Sequence, residues 1–291
     1  SLLNEVAKEA GARTKILLRL SPGVDPHTHA HLTTGTIDSK FGFPMAQAEE
    51  ALTRAMSFFE LLGVHFHIGS QIFEISSFKQ AIGIVLDFAA EMGSKYGFKL
   101  KELSTGGGLA IAYTEDSPAP TIGEFAEAIT ATLLERSEAL GLEPPRLIVE
   151  PGRSIVGQAG VALYTVGAIK EIAGVRKYVS VDGGIADNIR PALYGAKYEA
   201  IVANKVAGEK ERVTVAGKFC QSGDILIQDI DLPKLAPGDI IAMPCCGAYC
   251  LPMASNYNAS LKPAIVLVKD RKARLVRRRE SYEDLMNCDI I

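Results

Sequence analysis

The feature that most constrains this chain is a change of texture near residue 160. Up to about residue 152, short apolar runs alternate with long helical periods. Ile16-Leu17-Leu18-Arg19-Leu20 reads as a strand. Between Ala46 and Leu62 the apolar residues Ala48, Leu52, Met56, Phe59 and Leu62 recur three or four apart, which predicts a helix stopping at Gly63. Val64 to Ile68 is predicted as the next strand, and Phe78, Ile82, Val85, Leu86, Ala89 and Met92 as the next helical stripe. Leu103 to Thr105 ends a third strand at Gly106-Gly107-Gly108. Thr121-Ile122-Gly123-Glu124 is a capping box ahead of Phe125, Ile129, Leu133 and Leu140. Leu147-Ile148-Val149 makes a fourth strand that runs into Glu150-Pro151-Gly152-Arg153. Strand and helix alternating at roughly 40 residues per unit predict a parallel sheet with helices outside it. Four such units amount to half of an eight-stranded barrel, which takes about 250 residues in full. A flavodoxin-like open sheet is the alternative.

Beyond residue 160 the runs are short and rich in Val, Ile and Tyr: Val161 to Val166, Tyr178 to Val181, Ile240 to Met243 and Ala264 to Val268. Pro, Gly and Asp separate them, and no long helical period precedes Ser281 to Met286. This half is predicted to be a β-sandwich or β-barrel. The expected division is a partial (β/α) barrel over 1–160 and a β domain over 161–291, which a length of 291 residues allows. With 31 basic and 34 acidic residues, the net charge of -3 argues against a nucleic-acid surface spread over the chain. Neither an apolar run of membrane-spanning length nor a basic stretch followed by an apolar one is visible. Five cysteines without regular spacing suit a reducing compartment better than a disulfide framework.

The residues able to carry chemistry sit at the carboxyl ends of the predicted parallel strands, where (β/α) barrels place their active sites. Period-two alternation puts His65 and His67 on one face. They read as a metal-binding pair, as polar core histidines, or as a flat ring for stacking on a planar cofactor. Against the metal, all five histidines (His27, His29, His31, His65, His67) precede residue 68, so later strands supply none. Gly106 to Gly108 read either as a phosphate cradle of bare backbone amides or as a flexible loop. Glu150 and Arg153 offer a carboxylate and a guanidinium that can fork onto a phosphate or carboxylate, or else pair with each other. A lone cysteine such as Cys220 is most often a buried small hydrophobe. Cys245, Cys246 and Cys250 lack the spacing of a zinc site and read as packing residues. His27, His29 and His31 look metal-like but stand in a stretch with loop character.

Taken in order, these motifs resemble the alanine-racemase-like, fold-type-III pyridoxal-phosphate decarboxylases. The resemblance runs from Ser21-Pro22-Gly23-Val24-Asp25 to Lys40-Phe41-Gly42, then through HFHIGSQ (65–71), GGG (106–108), EPGR (150–153), DGG (182–184), RPALYG (190–195), CQSGD (220–224), GAY (247–249) and SNYN (255–258). It implies pyridoxal 5'-phosphate as cofactor and decarboxylation of meso-2,6-diaminopimelate to L-lysine and CO2. By that resemblance His67 stacks on the pyridine ring and Ser70 lies near the phosphate. Gly106, Gly107, Gly108 and Arg153 form the phosphate site, with Pro151 and Gly152 in the same motif. Glu150 partners the pyridine nitrogen, and Cys220 returns a proton to the α-carbon. Arg153, Arg190, Tyr194, Gln221 and Tyr249 face the substrate, Tyr249 touching the phosphate as well. The family lends its cysteine segment from a second subunit, so a homodimer with a shared site is implied, in the cytoplasm, without nucleic acid, membrane or metal.

Two departures stand out. The family carries Glu after the cysteine, where this chain has Gln221, which keeps an acceptor oxygen but loses the charge. The family's Schiff-base lysine lies in a Tyr-Ala-Val-Lys-Ala-Asn-like motif on the first barrel strand, and none of Lys15, Lys79, Lys101, Lys170 or Lys197 has matching context. The chain opens on Ser1 and runs almost at once into helix and strand, so the expectation is a C-terminal portion of a longer enzyme, inactive by itself. A decarboxylase for another basic amino acid, such as ornithine or arginine, and a non-catalytic cofactor- or partner-binding homologue are the other readings.

Overall fold

A computed structural model describes residues 2–25, 39–205 and 207–290 of the chain. The chain forms two compact units, 1–112 with 118–155, and 113–117 with 156–291. His27, His29 and His31 lie outside the described residues.

The first unit opens with α1 (Leu2–Glu9), β1 (Lys15–Ser21), the two-residue strand β2 (Phe43–Pro44), α2 (Met45–Phe58) and β3 (Glu60–Phe66). It continues through α3 (Ile75–Tyr96), β4 (Glu102–Ser104), α4 (Ile122–Ala139), β5 (Arg146–Ile148) and the single turn α5 (Arg153–Val156). The strands form one sheet in the order β2-β1-β3-β4-β5, every pair parallel. Burial alternates along β3: Val64 and Phe66 are fully buried, while His65 between them is only half-buried and belongs to the other face. The core is built from Leu18, Leu20, Val64, Phe66 and Leu103 of the sheet, Leu52 of α2, and the stripe Phe78, Ile82, Val85, Leu86, Ala89 and Met92 of α3. Phe78 meets Phe125 of α4 edge-on at 4.9 Å between centroids, joining the two helices. Each fully buried side chain of this size contributes roughly 1.5–3 kcal/mol. The capping box predicted at Thr121 is present, the Thr121 hydroxyl accepting from the Glu124 amide at 3.1 Å.

Several boundaries differ from the sequence reading: the strand expected over Val64 to Ile68 spans Glu60–Phe66, so that His67 lies beyond it, and the run expected over Val161 to Val166 continues to Ile172. The helix expected to reach Leu62 ends at Phe58, and Leu62 and Gly63 belong to β3. Phe59 is already extended, and its amide caps α2 on the Ala55 carbonyl. Gly63 is a glycine for a packing reason: a Cβ there would lie 1.7 Å from the Glu102 carbonyl oxygen of the neighbouring strand. Sheet packing, not helix termination, explains it.

The second unit holds β6 (Ala162–Ile172), β7 (Arg176–Val181), α6 (Arg190–Tyr194), β8 (Ile201–Val202), β9 (Lys210–Ala216), β10 (Ile225–Pro233) and β11 (Ile240–Met243). These strands form a mixed sheet in the order β10-β9-β7-β6-β11-β8, antiparallel except for β7 beside β9. Its core includes Tyr164, Val166, Val179, Val181, Val213, Val215, Leu226 and Ile241. A hairpin of β12 (Ile265–Lys269) and β13 (Lys272–Arg277) turns through Asp270 and Arg271, both with positive φ as a two-residue type I′ turn requires. The short helix α7 (Tyr282–Met286) follows, capped by Ser281. The β texture expected after residue 160 is thus observed. The short helix α6 within it was not foreseen, because five residues carry no measurable period.

Candidate active site

In the first unit, the groups marked in sequence converge beyond the carboxyl ends of β1, β3, β4 and β5. Register places Arg19 of β1 and Ser104 of β4 on either side of His65. The Ser104 hydroxyl, fully buried, donates to Glu150 Oε1 at 3.0 Å and accepts from the Gly106 amide at 3.3 Å. His65 Nε2 approaches the same Oε1 at 3.2 Å, while the Glu150 side chain remains about half exposed, 53%. His67 Nδ1 accepts from the Gly107 amide at 3.1 Å, which leaves the proton of a neutral ring on Nε2. Burial, with the positive charge of Arg19, pushes His67 below the ordinary histidine range. His65 is pushed down too, first by burial, with Glu150 pulling the other way. Arg153 is buried, and its guanidinium donates to the Ser70 hydroxyl at 2.8 Å.

The three glycines do something narrower than present a row of bare amides. Two of their N–H groups are committed within the protein, to Ser104 and His67. What the bend needs is close approach. A Cβ at Gly107 would lie 2.3 Å from the Glu150 carbonyl oxygen, and one at Gly108 2.2 Å from that of Gly69. Gly106 also takes φ 66, a left-handed conformation that costs glycine little. The bend therefore brings the ends of β3, β4 and β5 together and keeps side chains out of the space between them.

The second unit carries the remaining candidates on its loops. Cys220 lies between β9 and β10 and is exposed, not the buried small hydrophobe a lone cysteine usually is. The Asn258 carboxamide sits 3.6 Å from its sulfur. Gln221 and Tyr249 are exposed, and Tyr249 adopts φ 58, a region sparsely used by non-glycine residues. Asp224, almost fully buried, accepts from the amides of Ile185 at 2.7 Å and Phe219 at 2.9 Å. It thereby ties the cysteine loop to the Asp182-Gly183-Gly184 turn, where a Cβ on Gly184 would lie 2.5 Å from its carboxylate. Arg190 is buried in α6, its guanidinium hydrogen-bonded to the Tyr198 hydroxyl and 4.7 Å from the ring centroid of Tyr113. Tyr194, on the same helix, is half-buried. Cys245 and Cys250 are buried and Cys246 half-buried, as packing residues would be. Among the described residues no three or more His, Cys, Asp or Glu side chains gather as a metal site, and no helix is long and apolar enough to cross a membrane.

Arg19, Ser104, Asp224, Tyr113 and Tyr198 received no role in the sequence reading. Only Ser104, directly ahead of the triple glycine, carried a local hint.

The chemistry of the first cluster suits pyridoxal phosphate. A buried guanidinium beside a serine hydroxyl matches a phosphate, a half-exposed carboxylate with fixed donors matches a pyridinium nitrogen, and a neutral imidazole of set tautomer matches the ring. Comparison with known proteins agrees. The family described as "Pyridoxal-dependent decarboxylase, pyridoxal binding domain" matches residues 1–157. The diaminopimelate decarboxylase of Bacillus subtilis (strain 168) is 47% identical over 295 residues, covering 100% of this chain and 67% of its own length. That of Bacillus methanolicus is 45% identical, covering 96% of this chain and 66% of its own length. The crystal structure of diaminopimelate decarboxylase from M. jannaschii in co-complex with L-lysine superposes with a TM-score of 0.92 at 40% identity, covering 100% of this chain and 67% of that one. The chain thus spans about two thirds of the length of the relatives it matches. By its strand-end residues, its fold and these relatives, the chain belongs to the diaminopimelate decarboxylase family of pyridoxal-dependent decarboxylases.

Proposed function

We propose that this chain serves in the decarboxylation of meso-2,6-diaminopimelate to L-lysine and CO2, with pyridoxal 5'-phosphate as cofactor. The observation that carries the reading is the convergence of Glu150, His67, Ser70 and Arg153 around the glycine bend. Arg153 and Ser70, with the Gly106 to Gly108 bend and the adjoining Pro151 and Gly152, would hold the phosphate. Glu150 would meet the pyridine nitrogen, and His67 would lie against the ring. When bound, the cofactor supplies an electron sink for the pair left by departing CO2.

The chain's own groups supply the rest. Glu150 is an acceptor that favours a protonated ring nitrogen, because a carboxylate facing a cation gains a charge-assisted hydrogen bond. His67, held neutral by burial and by the Gly107 amide, adds no positive charge to the ring it faces. Cys220 would act as the general acid that returns a proton to the α-carbon. Arg190, Tyr194 and Tyr249 would take the substrate's carboxylates, and Gln221 would meet its distal ammonium with a neutral acceptor. The resemblance to a family that shares its cysteine segment between subunits supports a homodimer, and five cysteines with no disulfide between them suit a reducing, cytoplasmic setting.

The test is turnover of meso-2,6-diaminopimelate by the natural enzyme that carries this chain, followed as CO2 and L-lysine. Cys220→Ala is expected to lower kcat about 10²–10⁴-fold while pyridoxal phosphate binding is kept. Gln221→Glu is expected to tighten substrate binding. L-lysine formation at an undiminished rate without the thiol would remove Cys220 from the mechanism.

A further inference from the structure

His65 has no assigned part in the reading above, yet it occupies a telling position. Its side chain is only 15% exposed, and Nε2 comes within 3.2 Å of Glu150 Oε1. No aligned hydrogen bond satisfies that buried nitrogen. A buried polar atom without a well-directed partner is costly, and such atoms gather where a ligand completes the arrangement. Hydrogen bonds in a site without its ligand are also often misaligned and tighten on binding.

The surroundings narrow what His65 can do. Ser104 Oγ accepts from the Gly106 amide, so its single hydrogen is committed to Glu150 Oε1. Ser104 therefore donates to Oε1, and His65 Nε2 stands 3.2 Å from the same oxygen. The charged and titratable groups facing His65 are Glu150, Arg19 on β1 and His67 beyond the end of β3. Burial, aided by Arg19 and opposed by Glu150, disfavours a positive charge on His65, so the ring is a neutral imidazole whose N–H can face the carboxylate.

We propose that His65 is a positioning residue for Glu150: together with Ser104 it fixes Oε1, so that Oε2 is the oxygen presented to a protonated ring nitrogen. This rests on the reading of Glu150 as the nitrogen's partner. His65 acts through Glu150 and touches neither the phosphate nor the reacting carbon. The contact joins residues 85 positions apart, and the register of β3 between β1 and β4 makes it possible.

Two measurements on the full chain test it, one with and one without cofactor. By equilibrium dialysis, His65→Leu should weaken binding of pyridoxal 5'-phosphate about tenfold, which is about 1.4 kcal/mol. Binding of the carbocyclic analogue lacking the ring nitrogen should stay unchanged. His65→Gln, which can place an amide N–H near the same point, should restore most of the loss. A substitution that merely disturbed the fold would weaken both ligands alike, and that result overturns the proposal. In the second measurement, NMR titration of the imidazoles without cofactor, Glu150→Gln should lower the pKa of His65 more than that of His67, because the neighbouring negative charge is gone. Equal titration of His65 in the parent and Glu150→Gln also refutes it. If the parent binds no pyridoxal phosphate at all, the cofactor reading fails, while the titration still decides whether His65 and Glu150 are coupled.

Discussion

The two units hold their functional groups by different means. In the first, Arg19, His65 and Ser104 lie abreast because three parallel strands are in register. Their placement is spread over the backbone hydrogen bonds of a whole sheet. In the second, Cys220 and Tyr249 stand on loops and Asn258 in a single 3-10 turn, Tyr257–Ala259, with Tyr249 and Asn258 in left-handed backbone at φ 58 and 50. There, the cysteine loop is tied by the Asp224 carboxylate together with a few backbone bonds, from the Gly217 amide to the Asp224 carbonyl and from the Lys218 amide to the Gly183 carbonyl. A sheet resists single substitutions near its site but fails when its core fails, whereas a stapled loop can be released by one change without loss of the fold.

Three experiments sharpen that contrast. The largest effect should come from Phe78→Ala, which empties the contact with Phe125 and removes a fully buried ring. It should cost about 3–5 kcal/mol in denaturant unfolding, with α3 and α4 losing amide-exchange protection together. Next, Asp224→Asn replaces a charged acceptor that serves two amides; a loss of about 2–3 kcal/mol is expected. Its signature is local. The amides of Phe219 and Ile185 should exchange faster and Cys220 should alkylate more readily. If both amides stay protected, the backbone bonds of Gly217 and Lys218 hold the loop without the carboxylate, and one side chain does not release it.

The smallest effect is that of pH. His65 and His67 are harder to protonate in the folded chain than in the unfolded one. The unfolded state therefore takes up more protons as pH falls through about 6.5, and the histidines' share of stability, intact above that range, declines on acidification. Asp187 and Asp224 behave oppositely: burial raises both, so their cost grows as pH rises from about 3.8 and acid relieves it. Between about pH 7 and 5, acid should weaken the first unit through its histidines, and His65→Gln should flatten the slope of unfolding free energy against pH.

Much of this was legible in the sequence, and what was missed has a common cause. Thr121 and Glu124 announced α4 because a capping box is local. The strands showed themselves as short apolar runs, and the motifs that follow β3, β4 and β5 lie close to one another in the fold. The overrun of α2 to Leu62 arose because Phe59 and Leu62 continue the helical spacing into a strand whose partner, Glu102, lies far along the chain. Long-range pairings left no mark either. Nothing in the sequence links Arg190 to Tyr113, or His65 to Glu150. Nor did the triple glycine reveal that two of its amides are committed to Ser104 and His67.

The pairing of β1 with β3 slips by one residue between Ile16 and Leu17, so that Leu17 faces Gly63 and Leu62 is left without a partner. Had the ladder run on unbroken, Arg19 would stand opposite Val64, and His65 would face Leu20. One supernumerary residue thus decides which side of the ribbon shows imidazole and which shows hydrocarbon. Deleting Leu62 would leave Leu17 opposite Gly63 and Arg19 opposite His65 in an unbroken ladder, whereas inserting a further residue that the ladder does not set aside would exchange the two sides.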